Sequence, residues 1–159
     1  NGATPLYVAA EPGQEAAVRP LIESAVDVNK GKAYSATPLI MAARKGHEAV
    51  VRALMEAGAD INKATKKGAT PLQVAAGKGD KAVMRALIEA GADVNKARDD
   101  GVTPLFMASL EGNETVVQAL IVAGADVNKA ADGGTTPLHI AAEIGHEPVV
   151  QILRDAGAV

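Results

Sequence analysis

One tripeptide, Thr-Pro-Leu, recurs at a constant interval and constrains the fold of this chain more than any other feature. Each copy begins 33 residues after the one before it, with no insertion or deletion. A fixed period of this length is typical of a solenoid, in which like units stack on one another, and not of a domain with one unrepeated core. The copies lie at 4–6, 37–39, 70–72, 103–105 and 136–138.

The residues around each copy predict the start of a helix. In the third unit, Thr70 is a favourable N-cap residue because its side-chain oxygen can accept from a first-turn N–H. Pro71 suits the first helical position, where its missing N–H has no partner to lose. The breaker Gly77-Lys78-Gly79 then ends a short first helix.

A second helix is predicted after this breaker. Asp80 can cap its start, and Gly91 can end it in the left-handed conformation that glycine adopts at least cost. The apolar residues between them fall on one helical face, as expected for a helix that packs on neighbours. They are Val83, Met84, Leu87 and Ile88. The turn-rich stretch 97–102 predicts a projecting turn or hairpin between units.

In register, the units predict a single repeat domain over 1–159 with shortened first and last units. Their boundaries are 1–30, 31–63, 64–96, 97–129 and 130–159. With 48% hydrophobic residues the chain is apolar enough to be ordered, and with no Trp, one Phe and two Tyr its core must be aliphatic. The fold class predicted is an all-α repeat solenoid.

The repeated pattern G-x-T-P-L-x-x-A-A, followed by V-V or V-M, A-L and G-A-D-[VI]-N, resembles the ankyrin repeat over the whole chain. This resemblance implies two antiparallel helices per unit, β-hairpin fingers projecting at right angles, and a concave face formed by fingertips and first helices. It also implies binding of other proteins on that face. The histidine that the family places after Thr-Pro-Leu is present only as His139, which is expected to bond near Thr136.

No catalytic or metal-binding site can be assembled from the sequence, so no enzyme activity and no cofactor are expected. There is no cysteine, and no Ser/His/Asp arrangement is evident. His47 and His146 are three units apart, which places them roughly 30 Å from each other and excludes a shared metal. Both are predicted to cap the start of second helices.

The composition also bears on partners and location. A nucleic-acid partner is not expected, because units four and five are acidic and would repel phosphate. No signal peptide or membrane-spanning run is evident, which weakly favours the cytoplasm, and a monomer is expected.

Positions that vary between units are the candidates for partner binding, since the repeated positions are needed for packing. The ankyrin resemblance places them at the fingertips and just before the mid-unit glycine. The candidates are Tyr34, Arg44, Lys45, Lys66, Lys67, Lys78, Asp99, Asp100, Leu110, Glu111, Asp132 and Glu143. Tyr34 is the best single hot-spot candidate, because tyrosine is enriched where binding energy concentrates.

The charges of these candidates separate along the chain. The net charges of the five units are −2, +2, +3, −3 and −3. This predicts a basic patch in units two and three and an acidic patch in units four and five, which would orient a partner of opposite polarity. Lys30, Lys63, Lys96 and Lys129 form a column that repeats in every unit but the last, and that column is interpreted as a feature of the repeat.

Two hypotheses about function stay open at this point. The first is a scaffold that binds a protein partner through these patches. The second is a designed or architectural solenoid, or a spacer, in which the same charges are solvated and meet no dedicated partner. The constant register favours design, whereas the irregular first unit favours a natural sequence.

That first unit is predicted to be the least stable. Pro20 falls inside its second helix, at a cost of about 3 kcal/mol, and Ala25 stands where the other units have a left-handed glycine, at about 1 to 2 kcal/mol. Native-state hydrogen exchange should therefore find its amides less protected than those of the third unit. Equal protection in the two units would show this prediction to be wrong.

Overall fold

The computed structural model describes residues 2–31 and 36–159, and within them each Thr-Pro-Leu copy begins a pair of helices. The first helices of the pairs are α1 Pro5–Ala10, α3 Pro38–Lys45, α5 Pro71–Lys78, α7 Pro104–Leu110 and α9 Pro137–Ile144. The second helices are α2 Glu15–Glu23, α4 Glu48–Glu56, α6 Lys81–Glu89, α8 Glu114–Val122 and α10 Glu147–Asp155. The all-α repeat solenoid is confirmed.

Every first helix starts with the predicted cap. The Thr70 side chain accepts from the backbone N–H of Gln73 at 3.2 Å, and the equivalent threonines cap the other first helices. The Asp80 carboxylate accepts from the Val83 N–H at 3.0 Å and so caps α6, also as predicted. These bonds satisfy helix N–H groups that no earlier turn can reach.

The aliphatic core runs through the stack as one continuous cluster. Leu72 is 1% exposed, and Val83, Met84 and Leu87 from the second helix are buried with it. First helices pack on the first helices of the next unit, and among the second helices α2 packs on α4, α4 on α6 and α8 on α10. Burial is therefore shared between units, as expected where one unit is too small to cover its own apolar face.

Side chains of the connecting loops bond one unit to the next. The Asn95 side-chain oxygen accepts from the Asp126 N–H at 2.8 Å, and its amide donates to the Gly124 carbonyl at 3.0 Å. Lys129 Nζ donates to the Asn95 carbonyl at 3.1 Å. The same lysine bond occurs at Lys63 and Lys96. The lysine column is therefore a structural feature of the repeat, as interpreted.

Two of the three histidines, His47 and His146, do not act in the way the sequence predicted. His47 and His146 stand at the N-cap positions, but neither side chain makes a capping bond. His47 Nε2 instead lies 3.0 Å from the Glu11 carbonyl oxygen, and His146 Nε2 lies 3.0 Å from that of Leu110. Each imidazole reaches beyond its own unit to a backbone carbonyl at the end of the first helix of the preceding unit. Each of these histidines therefore links two units.

His139 does bond at Thr136, as expected. Its Nδ1 lies 3.1 Å from Thr136 Oγ1 and accepts from the Thr136 N–H at 3.3 Å. In the third unit Gln73 takes the same position and accepts from the Thr70 N–H at 3.1 Å. Gln73 Nε2 also donates to the Val102 carbonyl at 2.6 Å. An amide thus replaces the histidine and adds a bond to the next finger.

The expected β-hairpin fingers are tight turns in the described residues, where no strand forms. In one finger the Arg98 N–H donates to the Val102 carbonyl at 2.9 Å, and the Gly101 N–H donates to the Arg98 carbonyl at 3.0 Å. The arms are too short for a longer ladder of bonds. Gly101 has φ +77, and a Cβ there would lie 2.9 Å from the next finger's Ala131 Cα. Only glycine allows that backbone-to-backbone approach.

The first unit has the irregularities that the sequence indicated. Pro20 lies inside α2, and Ala25 has φ +57, the single positive φ of a non-glycine residue among those described. The equivalent Gly58, Gly91 and Gly124 have φ of +84, +90 and +91. Ala25 therefore adopts a conformation that its Cβ disfavours.

Replacing Ala25 with glycine should stabilise the chain. The change removes the left-handed penalty, and this outweighs the smaller destabilisation that comes from a higher conformational entropy of the unfolded chain, so the free energy of unfolding should rise by about 1 kcal/mol. Ala90→Gly is the matched control: its φ is −83, and glycine there should lower stability by about 0.5 kcal/mol. Urea unfolding of both variants measures this, and a loss of stability in A25G would contradict the expectation.

Candidate protein-binding surface

Those predicted binding residues that the structure describes lie on the first helices and the finger turns, and the face that these elements form is called the inner face below. Asp100 and Leu110 are half-buried, whereas the other described candidates are exposed. These exposed residues are Arg44, Lys45, Lys66, Lys67, Lys78, Asp99, Glu111, Asp132 and Glu143. Tyr34, the hot-spot candidate, lies outside the described residues.

The basic end of this face is bordered by a carboxylate. Lys45 Nζ lies 3.8 Å from a carboxylate oxygen of Glu11 in the first unit. Both side chains are about half exposed, so this pair contributes little to stability. Glu11 is missing from the predicted set, although the 33-residue register places it at the position of Arg44. It limits the basic patch to units two and three.

The acidic end contains a second unpredicted residue, Arg98. Its guanidinium lies 2.6 Å from a carboxylate oxygen of Asp100, and the Asp100 carbonyl accepts from the Asp132 N–H at 2.9 Å. Asp100 is thus engaged within and between fingers, while Asp99 beside it is exposed. An arginine next to two aspartates in a finger was the sequence signal for this pair.

The two charge patches meet at a groove between α5 and α7. The groove has a volume of about 260 Å³, and its lining includes the charged residues Lys78, Glu111 and Arg98. These two residues occupy the same position in successive units, so the sign of the charge changes across this one groove. The structure therefore brings together Lys78 and Glu111 from the predicted set.

A glycine opens the groove. Gly77 stands where the other units have Glu11, Arg44, Leu110 or Glu143, and so contributes no side chain. A Cβ on Gly77 would lie 3.0 Å from Met107 Cε. Glycine inside a helix costs about 0.5 to 1 kcal/mol relative to alanine, so local helix stability does not explain it. The result is an apolar floor, formed with Val74 and Met107, between charged edges.

One polar group at the groove lacks a partner. Arg98 Nε is buried and makes no hydrogen bond within the described residues, although the other end of its guanidinium bonds Asp100. A buried donor without an acceptor costs about 1 to 3 kcal/mol. An acceptor on a bound molecule could satisfy this N–H if the side chain shifted.

The described residues contain no group of three or more His, Cys, Asp or Glu side chains able to hold a metal ion. Over the same residues, no helix has the length and apolar character needed to cross a membrane.

A family model described as ankyrin repeats, three copies long, matches residues 1–65, 30–98, 57–131 and 97–159. The chain belongs to the ankyrin repeat family. Ankyrin repeats are generally modules of protein–protein interaction and are typically not enzymes. A search of curated proteins found no match.

Proposed function

We propose that this ankyrin repeat domain is a non-enzymatic scaffold that binds a protein partner on its inner face, centred on the groove between α5 and α7. The observation that carries the proposal is the change of charge across that groove, from Lys78 to Glu111, over an apolar floor. A partner segment with an apolar side chain and flanking charges of opposite order would match both features.

The wider face supports the same orientation. Lys66, Lys67 and Lys78 are exposed on the side of the third unit, and Asp99 and Glu111 are exposed on the side of the fourth. Charges so arranged attract a bipolar partner from a distance and reject the reversed orientation. Ile144 at the end of α9 is 47% exposed and adds an apolar contact at the acidic end of the face.

Reversing the charge of two fingertip lysines tests the proposal. The Lys66→Glu/Lys67→Glu variant should slow association with a partner about tenfold at low salt, because steering depends on the basic patch. The partner is one recovered by pull-down with the intact chain, and rates are measured by surface plasmon resonance at several salt concentrations.

The matched control is Lys81→Glu/Arg85→Glu, which makes the same change of charge in the same unit but on the second helix. A partner that binds the inner face should associate with this control variant at the same rate as with the intact chain. An unchanged rate in the fingertip variant, together with a slower rate in the control, would refute binding at the inner face.

A further inference from the structure

A second groove lies away from the inner face, between the second helices α6 and α8. It has a volume of about 540 Å³ and lies away from the finger turns and first helices. Its apolar lining comes from Met84, Ile88, Ala119 and Val122, of which Val122 is 89% exposed. A large aliphatic side chain left in water at the edge of an apolar groove is the feature to explain.

Val122 breaks a repeated acidic column. The same position holds Glu23, Glu56, Glu89 and Asp155 in the other units. Between the first and second units the equivalent groove includes Glu56 and measures about 200 Å³. The fourth unit has therefore exchanged a solvated carboxylate for an apolar surface, and the groove there is larger.

In the second and third units this acidic column lies near an arginine of the preceding unit. Arg52 lies 2.9 Å from Glu48 of its own helix and 3.8 Å from Glu89 of the next unit. A hydrogen bond to Glu15 raises the pKa of Arg19, with further contributions from the charges of Glu15 and of Glu56 in the next unit.

Arg85 has lost both of these partners. Lys81 replaces the glutamate one turn earlier, and Val122 replaces the one in the next unit. Within the described part of the chain, no carboxylate lies within ion-pair distance of Arg85 or Lys81. Glu89, the one acidic residue at the groove, is 3.8 Å from Arg52 on its other side. The groove thus presents two cations beside exposed aliphatic surface.

We propose that the groove between α6 and α8 is a second docking site, which takes a protein segment carrying an apolar side chain next to carboxylates. The apolar side chain covers Val122 and Ile88, and the carboxylates replace the glutamates that Arg85 lacks. Charge complementarity selects this occupant, since the arginine that forms an ion pair in each of the two preceding units forms none here within the described residues and Lys81 adds a second cation. The site uses second helices alone and is independent of the inner face.

Differential peptide selection tests this site. A displayed library of random peptides is selected on the intact chain, and peptides that also bind Val122→Glu are removed. The glutamate restores the acidic column beside Arg85, so this variant should keep its melting temperature. The peptides retained should combine an apolar residue with Asp or Glu, and their Kd should be about tenfold or more higher for V122E than for the original chain.

Two further variants complete the test. Arg85→Gln should raise the Kd about threefold to tenfold by removing one charge-assisted bond, and its exposed position makes it tolerable to the fold. Val159→Glu is the matched control: the same substitution at a residue that is 86% exposed and outside the groove should leave the Kd unchanged. Lys66→Glu/Lys67→Glu should also leave it unchanged, which separates this site from the proposed inner face.

The proposal fails if no peptides distinguish the intact chain from V122E, if those that do are basic, or if R85Q binds them as well as the intact chain does. Sedimentation of the intact chain adds one more outcome: self-association abolished by V122E would mean that a second copy occupies the groove, and would overturn the assignment.

Discussion

The structure depends on the sharing of polar groups and apolar surface between neighbouring units. One pair of short helices cannot bury its own apolar face, and isolated helices of eight or nine residues are marginal in water. Here the loops also hold neighbouring units together. The Asn95 side chain accepts a hydrogen bond from the Asp126 N–H, and Lys129 Nζ donates one to the Asn95 carbonyl. Each unit satisfies donors and acceptors of the next, so the constant 33-residue register is a geometric requirement.

This sharing decides which residues are left for recognition. The repeated Thr, Leu, Asn and Lys positions are occupied by caps, core contacts and bonds between units. Other side chains, such as Lys78 and Glu111, are exposed at positions that differ in charge from unit to unit. Gly77 and Val122 are two departures from the neighbouring units: one leaves a groove on the inner face open, and the other replaces a carboxylate with apolar surface at a groove between second helices.

Most of the fold could be predicted from the sequence because its determinants are local and repeated five times. Thr70, Asp80 and Gly91 act as caps or helix ends whose bonds lie within a few residues. The capping predictions for His47 and His146 failed because those side chains make contacts between units. His47 has the sequence position of a cap, but only the structure shows the Glu11 carbonyl of the preceding unit within its reach.

The binding surfaces were less predictable for a similar reason. The ankyrin resemblance nominated Lys78 and Glu111, yet the groove that both of them line depends on the missing side chain of Gly77. The Arg98–Asp100 pair depends on the shape of one finger turn. The exchange of an acidic residue for Val122 is visible when the five units are aligned in sequence. The absence of an ion pair at Arg85 among the described residues is visible only in the structure.

The division between repeated residues that hold the stack and variable residues that select partners is the central claim, and a paired scan tests it most directly. Single substitutions at Leu72, Asn95, Lys78 and Glu111 would be measured for both unfolding free energy and affinity for a protein captured by the intact chain. Loss of stability is expected at Leu72 and Asn95, with affinity changing at Lys78 and Glu111 while stability stays the same. The claim would be wrong if substitutions at Lys78 and Glu111 lowered the unfolding free energy as much as a substitution at Leu72 does. It would also be wrong if affinity followed stability at every position.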